Sequence, residues 1–239
     1  MLSQMTRVVR PDAHAESQTL VPTERGSELA LDAIRLGPGG ETAIFDDVHD
    51  TLLFVHGGSC GVGEDELGGA GSLLVAAGER RAVVAGQDGA SLVRATLGAG
   101  TDLHAPMGPA EPVVALEHVE PGKATGARSF QVLHGPHNGS TRATMFVGYI
   151  PPGKAPWHYH LYDEIVWIWR GPGRYYLGDE VEALEDGSAF RITPREVHIV
   201  ENTHPERELA VLGIFTPAGS PSAAYLTRDI AATYGFGSA

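Results

Sequence analysis

The sequence predicts an all-β protein in which one β domain is laid down twice, followed by a short C-terminal helix. Three observations carry the prediction. First, the 239 residues include 31 glycines and 16 prolines spread along the chain, which punctuate it into many short segments instead of bundle-length helices. Second, the apolar runs between them (TLLFVHGG, SLLVAAG, RAVVAG, VWIWRG, RYYLG, LAVLGIF) are short and bounded by turn residues, which favours strands. Third, the chain repeats itself. Ile34–Gly58 lies on Tyr149–Pro172 at an offset of 114, which sets Pro38-Gly39 on Pro152-Gly153, Asp50 on Glu164 and Gly57 on Gly171. Further on, GSLLVAAGERRAVVAG lies on GSAFRITPREVHIVEN at an offset of 116.

In chain order, residues 1–25 are polar and aperiodic, and are expected to form an arm ordered by packing on another domain or subunit. Residues 26–110 and 111–221 are the two β domains. In the tail, residues 222–239, Tyr225, Leu226, Ile230 and Ala231 recur at helical spacing, with Ser222 as cap and Gly235 as stop.

Composition excludes several functions. A hydrophobic content of 42% supports a buried core, while a formal net charge of −13 argues against nucleic-acid or anionic-membrane partners. Cys60 is the single cysteine, so neither an intramolecular disulfide nor a cysteine-rich zinc site is available. The opening MLSQMTRVVRPDAHAESQ lacks an apolar h-region, and no run approaches the roughly 18 apolar residues of a membrane span. A cytoplasmic location is expected.

The chemistry lies in the second half. GKAPWHYHLYDEIVWIWRG supplies Gly153, His158, His160, Glu164 and Gly171, and GSAFRITPREVHIVEN supplies Gly187, His198 and Asn202. In these two motifs the chain resembles the cupin superfamily of jelly-roll β-barrels. The Gly153–His158 spacing is one residue shorter than the usual pattern, and Thr193 and Arg195 stand where proline and glycine are common. The resemblance is close over Gly148–Gly219 and loose over Leu29–Gly100. It implies two tandem cupin barrels, the first degenerate and the second carrying an intact metal site.

Residue chemistry agrees. Positions i and i+2 of a strand face one side, so His158 and His160 point together and Tyr159 away. Glu164 opens the next strand and His198 arrives from a distant one. Three imidazoles and a carboxylate suit Fe(II), Mn(II), Ni(II) or Zn(II) and leave two octahedral positions open. The aligned places in the first half hold Ile44, Asp46, Asp50 and Ala82, too few donors for a site, so that half is expected to be structural. The other histidines (His14, His49, His56, His104, His118, His134, His137, His204) are expected to be ordinary surface or core residues. Past Glu164, alternation puts Val166 and Ile168 on the ligand face and Trp167 and Trp169 on the other. Phe190 and Ile192 are expected on an apolar wall, and Trp157, Tyr162, Tyr175 and Tyr176 are within reach of the cavity.

The expected function is a metal-dependent enzyme acting on a small organic molecule. An Fe(II) dioxygenase using O2 comes first, on family frequency, with Glu164 as ligand and base. The alternatives are a non-oxidative isomerase, lyase or epimerase using Mn, Ni or Zn, and a non-enzymatic ligand-binding cupin. Arg195, three residues before His198, is expected to meet an anionic substrate, unless it is an exposed turn arginine paired with Glu196 or Glu201. The Trp167/Trp169 face and the N-terminal arm suggest a homodimer, unless the two barrels of one chain cover each other.

Overall fold

The computed structural model describes residues 8–12, 14–98, 104–124 and 127–226. The first barrel is organised by two long antiparallel strands, Asp50–Val62 and Arg80–Leu97. They bend where their register slips between Val55 and Gly57 and between Gly58 and Cys60, as bulges do. Gly58 sits at φ +68, and a Cβ there would meet Gly89 O at 2.1 Å, so the bend needs glycine. The sheet runs Ser17–Val21, Ala30–Leu36, Arg80–Leu97, Asp50–Val62, Gly71–Val75, Val113–Ala115, with Glu41–Phe45 and Asp65–Leu67 pairing on the long strands. Its interior is filled by Ile44, Leu53, Val55, Cys60, Leu73 and Val83. Burial raises the Cys60 thiol to about 11.

The second barrel is two six-stranded sheets. One runs Ala189–Ile192, Asp163–Arg170, Leu209–Thr216, Thr144–Ile150, Ser129–His134, Gly122–Lys123. The other runs Glu180–Leu184, Gly173–Leu177, His198–Asn202, His158–Tyr159, Tyr225–Leu226, with Gly153–Lys154 also on His198–Asn202. Val166, Ile168, Tyr175, Phe190, Ile192 and Val211 pack inside it. Asn202 closes the turn after its strand by donating to Ile150 O at 2.8 Å and Arg207 O at 2.7 Å.

A third core lies between the barrels, where Leu31, Phe54 and Val93 of the first meet Met145, Ile165, Trp167 and Leu212 of the second. Each such side chain contributes about 1.5–3 kcal/mol on burial. The alternation past Glu164 is as expected: Val166 and Ile168 face inward, Trp167 is 3% exposed in the inter-barrel core, and Trp169 meets Phe54 edge-on at 5.2 Å. The arm is also used within the chain. Val9 and Ala189 exchange two backbone hydrogen bonds, and Arg10 pairs with Glu185 at 2.7 Å. Trp167 and part of the arm are therefore packed within the chain.

Three expectations shift. Strand Ser17–Val21 already belongs to the first sheet, inside the segment read as an arm, and Val113–Ala115 extends that sheet beyond residue 110. The tail at 222–226 is not helical: Tyr225–Leu226 is a strand paired with His158–Tyr159, because an open sheet edge offers the backbone partners that a single turn of helix lacks. Residues 227–239 of the expected helix lie outside the described residues. Among the described residues the helical turns are the 3-10 segments Leu116–His118 and Pro136–Asn138, and no helix is long and apolar enough to cross a membrane.

Candidate metal centre

Both sheets of the second barrel supply the candidate ligands. His158 lies directly opposite His198 in the antiparallel pairing, which brings their ring centroids to 4.4 Å. His160 follows just past the strand end, 5.1 Å from His198. Glu164 opens the strand Asp163–Arg170 of the facing sheet, between Ile192 and Phe215. All four are buried, with exposures of 7, 1, 6 and 2% for His158, His160, Glu164 and His198.

Each imidazole is held the same way. Nδ1 of His158 faces Pro156 O at 2.8 Å, that of His160 faces Tyr162 O at 2.9 Å, and that of His198 faces Glu196 O at 2.9 Å. A carbonyl only accepts, so Nδ1 carries the proton and Nε2 is left as a bare lone pair. Burial, and after it the Arg128 charge, lowers His158 to about 4. Burial and the two neighbouring histidines hold His198 well below the usual imidazole value.

The tension is sharpest at His160. Its Nε2 is buried without a hydrogen-bond partner, yet Glu164 Oε2 lies 2.9 Å away. Two electron-rich atoms at that distance need a proton or a cation between them. Adjacent ligands of one ion, each at about 2.1 Å and near a right angle, are about 3.0 Å apart. Among the described residues no group of three or more His, Cys, Asp or Glu side chains is arranged so that it could hold a metal ion as it stands; what the four share with a metal site is their donor types.

Two further residues shape the carboxylate and the ring. A Cβ on Gly213 would strike Phe146 at 2.3 Å and Glu164 Oε1 at 2.8 Å, so the glycine keeps the space that Glu164 occupies. Tyr162 stacks on His160 at 4.1 Å and on Phe215 at 4.0 Å. Burial, with Glu164 second, raises its phenol above the ordinary range.

The four residues open onto a cavity of about 90 Å³, walled by Phe130, Phe146, Val166, Ile192, Val200 and Val211 and also lined by Arg128 and Tyr162. Pro221, Ser222 and Ala224 lie at its edge. His158, His160, Glu164 and His198 come together; Ile192 joins the wall, and Tyr162 is the one of the four flagged aromatics that lines it. Phe190 and Tyr175 lie deeper, their rings 4.3 Å apart. Arg195 does not line the cavity. It is exposed, at φ +68, and its backbone N–H donates to His160 O at 2.7 Å; the left-handed turn explains why glycine is common at that place. Sequence reasoning passed over Arg128, the cationic lining residue, which no motif contains.

The first barrel's counterparts do other work. Ile44 is in the apolar core and Ala82 is exposed. Asp46 accepts from the Val48 and His49 backbone and from the His49 ring, which together lower it to about 2. Asp50 accepts from Ala77 N at 2.9 Å.

A filled barrel joined to one with a polar cluster beneath an apolar cavity defines a two-barrel protein with a single candidate site. Residues 145–215 match the family model described as Cupin domain. No curated protein matches the chain. Among solved structures, Lactobacillus farciminis oxalate decarboxylase in its formate complex aligns with a TM-score of 0.75 at 13% identity, over 98% of this chain and 91% of that one. A mutant of Bacillus subtilis oxalate decarboxylase aligns with a TM-score of 0.74 at 15% identity, over 97% and 81%. The same Bacillus subtilis enzyme, in a structure concerned with its Mn(II) centres, aligns with a TM-score of 0.72 at 14% identity, over 97% and 81%. Residues 145–215 are thus similar to the cupin domain, and the chain as a whole shares the fold of these solved structures.

Proposed function

We propose that the second barrel is a mononuclear metal site and that the protein is a metal-dependent enzyme acting on a small organic molecule. One observation carries this: three buried, neighbouring imidazoles each have Nδ1 tied to a carbonyl, and the bare Nε2 of His160 lies 2.9 Å from Glu164 Oε2. His158, His160, Glu164 and His198 would hold one divalent ion. When bound, that ion supplies a Lewis acid and, if redox-active, a route for electrons to O2.

The chain's own residues do the rest. The carbonyls of Pro156, Tyr162 and Glu196 fix tautomer and ring direction, as partners of metal-bound histidines generally do. Glu164 offsets charge and is the carboxylate placed to accept a proton from a substrate in the cavity. The Phe, Val and Ile walls exclude water, which strengthens every charge interaction inside.

The solved relatives favour non-oxidative chemistry. They are decarboxylases, one with Mn(II) centres, so we carry a manganese lyase as the first reading and the expected iron dioxygenase as the second. The test is metal analysis of protein purified without chelator, followed by turnover on a panel of small organic acids with O2 and CO2 followed together. CO2 release that needs the metal without net O2 uptake supports the lyase. Stoichiometric O2 uptake supports the dioxygenase. A metal-loaded protein that binds acids but turns none over overturns the enzyme reading in favour of a binding cupin.

A further inference from the structure

We infer that Arg128 anchors the carboxylate of the substrate, and that the substrate is a small monocarboxylate with an apolar body. This rests on reading the cavity as the substrate site of a metal enzyme, and it names the class of molecule that site selects.

Arg128 lines the same cavity as the four candidate ligands. Its carbonyl accepts from Ala124 N at 2.9 Å, and the preceding Ala127 is at φ +60. The flanking residues are fixed by pairing: Phe130 lies opposite Gly122 on one side and Gly148 on the other. Strand pairing thus fixes the backbone on the C-terminal side of Arg128.

Charge accounting gives the sign of the ligand. With three neutral imidazoles, one carboxylate and a divalent ion, the centre is +1, and Arg128 makes it +2, inside a protein of formal charge −13. An anion is drawn to that point and repelled by most of the surface. A guanidinium offers a planar pair of donors that fits a carboxylate, and its five N–H groups can serve a ligand while keeping a protein partner.

The walls decide the rest of the molecule. Phe130, Phe146, Val166, Ile192, Val200 and Val211 make most of the wall apolar, with Ser129, Tyr149, Tyr162 and Ser222 as its hydroxyl-bearing members. A second carboxylate that reached past Arg128 and the ion would lie mostly against this apolar wall, which is costly. Oxalate, the substrate named for the solved relatives, has two carboxylates and no apolar surface, so it matches this cavity poorly. A branched short-chain acid satisfies the arginine, the ion and the walls together.

The probes are isovalerate, its neutral amide and oxalate, titrated calorimetrically into the metal-loaded full chain and into Arg128→Gln and Arg128→Lys. Elemental analysis accompanies each sample. Isovalerate is expected to bind at least tenfold more tightly than the amide. Arg128→Gln should lose about ten- to a hundredfold and Arg128→Lys less, with metal content unchanged. Equal binding of acid and amide, or an unchanged affinity in Arg128→Gln, overturns the anchor. Oxalate binding more tightly than isovalerate overturns the apolar body. If the wild type takes up no metal but isovalerate affinity still tracks Arg128, the anchor stands and the metal reading falls.

Discussion

At the scale of single residues, the site depends as much on what is missing as on what is present. Gly213 lies where a methyl group would overlap the Phe146 ring and press on Glu164 Oε1. Gly213→Ala is expected to swing the carboxylate away from the three imidazoles. It should cost about 1–3 kcal/mol of stability, the usual range for overpacking, and weaken metal binding about tenfold or more. Competition with a chromophoric chelator measures the second effect and a urea titration the first; unchanged affinity in a folded variant would show that Glu164 is not a ligand. Arg195 gives the opposite case. Its side chain is exposed and its turn is left-handed, a conformation that costs a non-glycine residue about 1–2 kcal/mol. Arg195→Gly is therefore expected to leave stability equal or higher and to leave metal content and substrate affinity unchanged. A raised Michaelis constant would return to Arg195 the role assigned above to Arg128.

At the scale of elements, one buried cluster ties the barrels together next to the site. Arg191 donates to Asp163 Oδ2 at 2.7 Å, to Leu29 O at 2.6 Å and to Pro22 O at 2.9 Å, and Ser27 Oγ bonds the same carboxylate. Asp163 precedes Glu164, so this cluster holds the start of the ligand-bearing strand against the first barrel. Arg191→Met would leave a buried carboxylate unpaired and is expected to cost about 3–5 kcal/mol in denaturant unfolding. Adding Asp163→Leu should recover part of that loss, because the stranded charge is then gone. A double variant no more stable than the single would mean the pair matters through shape alone. What the sequence revealed of these elements follows from range. His158, His160 and Glu164 are legible because strand alternation and short spacing put them together, and the same alternation separates Val166 and Ile168 from Trp167 and Trp169. Arg128 lies 30 residues before His158 and reaches the cavity only through pairing of Ser129–His134 with Thr144–Ile150. The Arg191–Ser27 contact spans 164 positions. Tyr225 and Leu226 fit a helical spacing, and pairing with His158–Tyr159 decided otherwise. Such long-range choices leave no local periodicity to read.

At the scale of the whole molecule, two barrels share one apolar interface and divide the labour. The first is solid and lends its outer face; the second keeps the polar cluster. His134 is fully buried, and neither ring nitrogen makes a hydrogen bond of normal geometry. Burial, then the His137 charge, lowers it to about 3, with the Ser72 backbone opposing. The unfolded chain protonates this imidazole near 6.5 while the folded one stays neutral, so its contribution is fully present above pH 6.5 and is lost as pH falls from there toward 3. His134→Leu should therefore lose less stability than the wild type between pH 7 and pH 5, measured by urea midpoints; equal losses would show that His134 does not drive the acid sensitivity. The central claim is tested most directly by elemental analysis of wild type and His160→Ala, each with circular dichroism. One divalent transition metal per wild-type chain is expected, near none in the variant, and a β spectrum retained in both. Two metals per chain, none in the wild type, or full loading in a folded His160→Ala would contradict it.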